Sequence, residues 1–237
     1  MQTLRRALGD DGAGACGRCD LCDGRAGDAL DARDAVDAAG AFLARRVAPI
    51  DGFRAPRMAA GVSVLDGELR PPLHVRFLRE RGDAARPELP PELLEMVLAR
   101  ARELAVKHRF GGVVAVPSRT WAQRTHAVTE IARAVGCLPF PDVLTFSPAP
   151  LHPQGALRNN DQRRENVRDC IYAAGELGSS VTGPARKDVL LVDDFVGSRA
   201  TLREAVRILR RDAGVRGEIV PLTITRVRWR LGAPGMV

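Results

Sequence analysis

From residue 89 onward, short apolar runs alternate with segments whose apolar residues recur every third or fourth position. The first pattern belongs to buried strands and the second to amphipathic helices. ELPPELLEMVLARARELAVKH, residues 88–108, puts Leu93, Met96, Val97, Ala101 and Leu104 on one face and predicts a helix. GGVVAVPS, residues 111–118, predicts a strand that runs into a turn. WAQRTHAVTEIARAVG, residues 121–136, predicts a second helix, with Val128, Ile131, Ala132 and Val135 in register and Gly136 closing it. DVLLVDDF (188–195), TLREAVRILRRDAG (201–214) and GEIVPLTIT (217–225) predict a strand, a helix and a strand. Strands alternating with helices predict an α/β fold: a parallel sheet flanked by helices on both faces.

Upstream the rhythm is weaker. DAVDAAGAFLARRV, residues 34–47, reads as a short helix. PIDGFRAPRMAAGVSVLDGELRPP, residues 49–72, is broken by Pro and Gly and reads as short strands and turns. Three regions are expected: a cysteine-cluster segment at 1–28, a connecting region at 29–88, and the α/β domain at 89–237. No internal repeat occurs.

Composition narrows the class. With 237 residues, 45% hydrophobic and 27% charged, the chain has the profile of a soluble globular protein. It lacks an apolar run long enough to span a membrane, and MQTLRRALGDDG lacks the apolar core of a secretion signal, so the cytoplasm is expected and no membrane partner. Five cysteines, three of them clustered, point to a metal site rather than a disulfide framework. The net charge of +7 is carried almost wholly by arginine, lysine standing only at Lys107 and Lys187. Such a chain suits polyanions, nucleic acid or phosphorylated small molecules, although a solvated basic surface has the same composition.

The stretch richest in chemistry is VLLVDDFVGSRATL, residues 189–202. An apolar strand ends in Asp193 and Asp194, a loop of Gly197, Ser198, Arg199 and Ala200 follows, and a helix starts at Thr201. Ligands of open parallel sheets bind beyond the carboxyl ends of the strands. Unpaired amides at a helix start suit a phosphate. Adjacent carboxylates accept hydrogen bonds from a vicinal diol such as that of ribose. The blander alternative is structural: Thr201 and Glu204 spell a capping box, and paired aspartates follow strands in other doubly wound folds.

This stretch resembles the phosphoribosyl pyrophosphate motif of type I phosphoribosyltransferases, with Asp193, Asp194, Ser198 and Thr201 matching. Arg199 departs from it, standing where that family usually has glycine; the side chain either adds charge to the phosphate site or blocks it. VVAVPSRT, residues 113–120, resembles the family's pyrophosphate loop, which would turn Ser118 and Arg119 toward the pyrophosphate. NNDQRRENVRDCI, residues 159–171, resembles the Gln-Arg…Asn-Val stretch of the ComF-like branch. The resemblance implies a type I phosphoribosyltransferase-like sheet. It implies phosphoribosyl pyrophosphate, or a related phosphorylated ribose, as ligand, with Mg2+ bridging pyrophosphate and ribose hydroxyls. Asp193 and Asp194 become the catalytic pair, and Gly197, Ser198, Arg199, Ala200, Thr201, Ser118 and Arg119 the phosphate- and ribose-binding set. Arg163 and Arg164 either neutralise phosphate charge or form a solvated surface.

ACGRCDLCDG, residues 15–24, spaces Cys16, Cys19 and Cys22 evenly, yet a structural zinc site wants four ligands. The cluster and its lead, Leu8-Gly9-Asp10, resemble the zinc-binding subdomain of RecQ-family DNA helicases, with Gly17 and Asp20 also fitting. That family's remaining cysteine would fall just upstream of Met1, so the resemblance implies an incomplete Zn2+ site on Cys16, Cys19 and Cys22; Asp20 or Asp23 as fourth ligand is the alternative. Cys137 and Cys170 read as small core residues, and His74, His108, His126 and His152 as scattered surface or satisfied positions.

Two functions follow. The first is the accessory C-terminal region of a RecQ-like helicase, as in some actinobacterial proteins with a phosphoribosyltransferase-like domain after the zinc region. Its motor would lie upstream, since no Walker lysine motif occurs here, and DNA would be a partner through the parent helicase. Residues 29–88 would then hold the remnant of a winged helix. The second is an active phosphoribosyltransferase acting on a base or amine.

Overall fold

In the computed structural model the described residues are 9, 10, 12, 14, 37–42, 46–147 and 168–227. The chain divides into two compact units, Met1–Leu43 and Ala44–Val237. Residues 37–42 of the first are helical. Cys16, Cys19, Cys22, Arg163, Arg164 and His152 lie outside the described residues.

The second unit is built on a six-stranded sheet. Its strands are β1 (Ala48–Ile50), β2 (Gly61–Asp66), β3 (Phe110–Ala115), β4 (Leu138–Phe140), β7 (Asp188–Val196) and β8 (Ile219–Arg226). They lie in the order β1-β2-β8-β7-β3-β4. All neighbours are parallel except the edge pair β1–β2. A separate antiparallel pair joins β5 (Leu144–Phe146) to β6 (Ile171–Ala173). Helices α1 (Pro72–Glu80), α2 (Pro91–Lys107), α3 (Arg124–Val135), α4 (Ser179–Thr182) and α5 (Ala200–Arg211) complete the order. The expected α/β class, a mostly parallel sheet flanked by helices, is what the chain forms.

Strand periodicity sorts the core into two layers. Leu190 and Val192 of β7 join a cluster with Phe77 of α1, Leu93, Val97 and Ala101 of α2, and Val128 and Ile131 of α3. Val189 and Leu191 join the opposite cluster with Leu202, Ala205, Ile208 and Leu209 of α5. Every one of these side chains is fully or almost fully buried.

The sequence patterns explain the long elements. Helix α2 starts with Pro91, whose missing N–H costs nothing in a first turn. Helix α3 ends where Gly136 takes φ 69°, its N–H turned back to the carbonyls of Ala132 and Arg133. Pro221 sits in β8, a central strand where proline removes a ladder donor. Gly61, the first residue of β2, makes room for it: a Cβ there would lie 1.9 Å from the Pro221 carbonyl oxygen and 2.7 Å from its ring.

Residues 48–80, read from sequence as part of a connecting region, supply β1, β2 and α1 to this same unit. Two further boundaries differ from the sequence reading. Strand β7 runs one residue past the expected 188–195, to Val196, and so carries both aspartates within it, because β8 continues to pair with it through Phe195–Thr225 and Val196–Arg226. Helix α5 starts at Ala200, with Arg199 as its cap, so Thr201 lies inside the first turn and makes no capping hydrogen bond. Glu204, the other half of the expected capping box, instead accepts from the Asp169 N–H at 2.9 Å and pairs with Arg207.

Candidate functional site

Strand order reverses between β3 and β7. The chain leaves β3 through α3 to β4 on one side, and leaves β7 through α5 to β8 on the other. In sheets of this kind such a reversal opens a crevice at the carboxyl edge between the two departing loops, the usual ligand position. The loop after β3 holds Ser118 and Arg119; the loop after β7 holds Gly197, Ser198 and Arg199, with Ala200 and Thr201 opening α5.

Asp193 and Asp194 lie within β7, each only 5% exposed. The Asp194 N–H donates to Asp193 Oδ1 at 3.0 Å, so the two carboxyls share one neighbourhood. Asp194 Oδ2 is ion-paired with the guanidinium of Arg81, the residue that caps α1. Burial, and next the charge of Asp194, push the Asp193 carboxyl well above the usual carboxylate range; the more distant charge of Arg81 pulls the other way. Opposite Asp193 on β8 stands Thr223, buried, its hydroxyl without a partner among the described residues.

A buried carboxyl with raised proton affinity makes stability depend on pH. Its contribution is fully present below the unfolded value of about 4 and is lost as pH rises through the folded value. Asp193→Asn is therefore expected to stabilise the ligand-free chain, with a gain that is small in acid and grows toward neutral pH. For a chain of this size each kcal/mol shifts Tm by about 2–4 °C. Thermal melts of both forms between pH 4.5 and 8 check this; a difference constant with pH would show that ionising Asp193 costs the fold nothing.

At the phosphate end, the N–H groups of Ala200, Thr201 and Leu202 precede the first helical bond, which runs from Arg203 N to Arg199 O at 2.9 Å. Ser198 Oγ lies 3.4 Å from the Ala200 nitrogen. The remaining amides and the positive end of α5 suit an anion. Arg199 adopts φ 63° and ψ 13°, left-handed backbone in which glycine is at ease and an arginine is not. Its guanidinium donates to the Asp51 carbonyl at 2.8 Å. Across the crevice Ser118 Oγ accepts from the Thr120 N–H at 3.3 Å, and the exposed Arg119 places its guanidinium 5.5 Å from the centroid of Phe146.

Sequence reading missed Arg81, which carries no motif and comes from a segment without strong periodicity. Other expected positions are structural. His74 is buried with Nδ1 2.7 Å from Thr225 Oγ1, and burial lowers its proton affinity. His108 pairs with Asp188 at 3.0 Å, and His126 accepts from the Leu89 N–H at 3.3 Å. Cys137 is half-buried beside the core, its thiol pushed up to about 11 by that burial. Among the described residues no group of three or more His, Cys, Asp or Glu side chains is placed to hold a metal, and no helix is long and apolar enough to cross a membrane.

No family model and no curated protein matches the chain. Among solved structures it is similar to a hypoxanthine phosphoribosyltransferase from Staphylococcus aureus, at 14% identity and a TM-score of 0.35, over 58% of this chain and 74% of that one. It is also similar to an adenine phosphoribosyltransferase, at 12% identity and a TM-score of 0.38, over 79% of this chain and 89% of that one.

Proposed function

We propose that residues 44–237 form a phosphoribosyltransferase-type domain that binds phosphoribosyl pyrophosphate. One observation carries the reading: the Asp193–Asp194 pair and the amides that open α5 stand on one strand and its loop, beside the point where strand order reverses. The amides would hold the 5′-phosphate and the carboxylates the ribose 2′- and 3′-hydroxyls. Ser118 and Arg119, on the neighbouring loop, would meet the pyrophosphate. Transfer would break the bond from the anomeric carbon to pyrophosphate, which leaves, and form one from that carbon to a nitrogen of the base or amine, so no protein nucleophile is required.

Magnesium fits as a group completed by the ligand's own oxygens. Asp193 offers a hard carboxylate donor that no cationic side chain among the described residues binds, whereas Asp194 is already engaged by Arg81. An ion held there by Asp193 would neutralise negative charge on the pyrophosphate. Asp193 orients those hydroxyls, and nearby positive charge favours its ionised form.

Equilibrium titration with phosphoribosyl pyrophosphate and magnesium tests the reading; saturable one-to-one binding is expected, and none at millimolar ligand would overturn it. Pyrophosphate release on adding bases or amines separates an active transferase from a binding domain. An accessory role beside a RecQ-like helicase, with its zinc and DNA, rests on the sequence of residues 8–22 alone.

Arg199 bears on the choice. Left-handed backbone costs a non-glycine residue on the order of 1 kcal/mol. The Asp51 contact draws the side chain toward the residues after β1. Arg199→Gly is expected to leave stability nearly unchanged, relief of strain offsetting the lost hydrogen bond. It should tighten phosphoribosyl pyrophosphate binding, because glycine leaves the phosphate a roomier loop at the start of α5. Calorimetric titration of both forms decides it, and tighter binding by the arginine form would make Arg199 a phosphate ligand.

A further inference from the structure

Arg81 stands at a junction. Its N–H bonds back to the Phe77 carbonyl of α1 at 2.9 Å, and its own carbonyl accepts from the Ala122 N–H at 2.8 Å. The second bond ties it to the segment between β3 and α3, the same loop that carries Ser118 and Arg119. Its side chain, 26% exposed, reaches the nearly buried Asp194 of β7. Arg81 thus links the loop after β3 to strand β7, and one carboxylate uses only part of its five-donor fork.

We infer that Arg81 is a pyrophosphate-binding residue that, in the ligand-free chain, occupies Asp194 in the ligand's place. The inference rests on the phosphoribosyl reading of the site. Binding is then an exchange of partners. The ribose diol donates to Asp194 as Arg81 leaves, and Arg81 turns its fork to pyrophosphate oxygens, a bidentate acceptor it suits. A ligand carrying both groups re-pairs both charges. Ribose 5-phosphate offers the diol but strands the guanidinium; pyrophosphate alone strands the carboxylate. An unpaired, partly buried charge is costly, so each half-ligand binds poorly. The pair acts as a filter that admits only the complete ligand, and residues 72–81 become part of the site.

Titration of the full chain with phosphoribosyl pyrophosphate plus magnesium, and separately with ribose 5-phosphate, tests this on the wild type and Arg81→Ala. The alanine form should favour phosphoribosyl pyrophosphate over ribose 5-phosphate about ten- to hundredfold less than the wild type does, the usual worth of a charged hydrogen bond. It should bind ribose 5-phosphate as tightly as the wild type or more tightly, because Asp194 no longer has to be released. The preference for the complete ligand collapses. An equal loss for both ligands would mean that Arg81 only supports the fold, and an unchanged preference would mean that it does not meet pyrophosphate; either overturns the inference. Should the alanine form fail to fold, Arg81→Gln keeps a polar side chain there without the charged fork and must show the same collapse; a wild-type preference overturns the inference there too. A wild type that binds neither compound overturns the phosphoribosyl reading itself, and the inference with it.

Discussion

Asp193→Asn combined with Asp194→Asn is expected to weaken binding of phosphoribosyl pyrophosphate by more than about a hundredfold while leaving the domain folded. Each carboxylate would accept a hydroxyl of the ribose, and a hydrogen bond to a charged group is worth about 1.5–3 kcal/mol, so two of them account for the loss. The amides keep the shape but accept less strongly and carry donors of their own. Folding should survive for a specific reason. The change removes the unfavourable burial of Asp193, and the orphaned Arg81, 26% exposed, retains access to water. Titration calorimetry beside a thermal melt separates the two effects. Binding that persists in a folded double variant would place the ligand elsewhere on the chain. The sign also differs from that of Arg81→Ala: loss of the carboxylates weakens ribose 5-phosphate, whereas loss of the arginine does not.

The second large effect concerns stability. Phe77→Ala is expected to cost about 3–5 kcal/mol, the range for truncating a buried aromatic. Phe77 is fully buried and belongs to the cluster that includes Leu93 and Val97 of α2 and Val192 of β7. Chemical denaturation checks it: the midpoint should fall, with the slope unchanged if the transition stays two-state. A cost below about 1 kcal/mol would mean that α1 lies on the domain rather than within it. Helix α1 also carries the Arg81 backbone, so loosening it should shift ligand preference in the direction of Arg81→Ala.

Legibility tracked length and repetition. Helices α2, α3 and α5 and strands β3, β7 and β8 each carry enough apolar positions for a period to stand out, and Gly136 marks a helix end by a backbone angle. Strand β1 has three residues, too few for any period, and β2 is legible only through its partner far along the chain. Phe77 belongs to a short helix whose neighbours Arg76, Arg79 and Glu80 give no warning of a core residue. In the candidate site, the residues from Asp193 to Thr201 are contiguous, so the sequence could propose them together; Arg199, where the resemblance expects glycine, takes left-handed backbone. The overrun of β7 to Val196 could not be read, because β8 decides it. Arg81 was invisible for the same reason: its meaning comes from a contact 113 positions away.

The place of β8 between β2 and β7 bears on how the chain is made. A hydroxyl of Thr225 reaches the carbonyl of Leu65 across 160 positions of sequence. During synthesis β2 and β7 emerge first, and the strand that joins them comes near the close of this unit. Pairings so distant place the chain among slow, high-contact-order folders. Until β8 arrives, the facing edges of β2 and β7 are open templates for other strands. A nascent chain paused on the ribosome before residue 219 would therefore be a client for chaperones, and a stop codon there would yield an aggregating fragment rather than a smaller working domain.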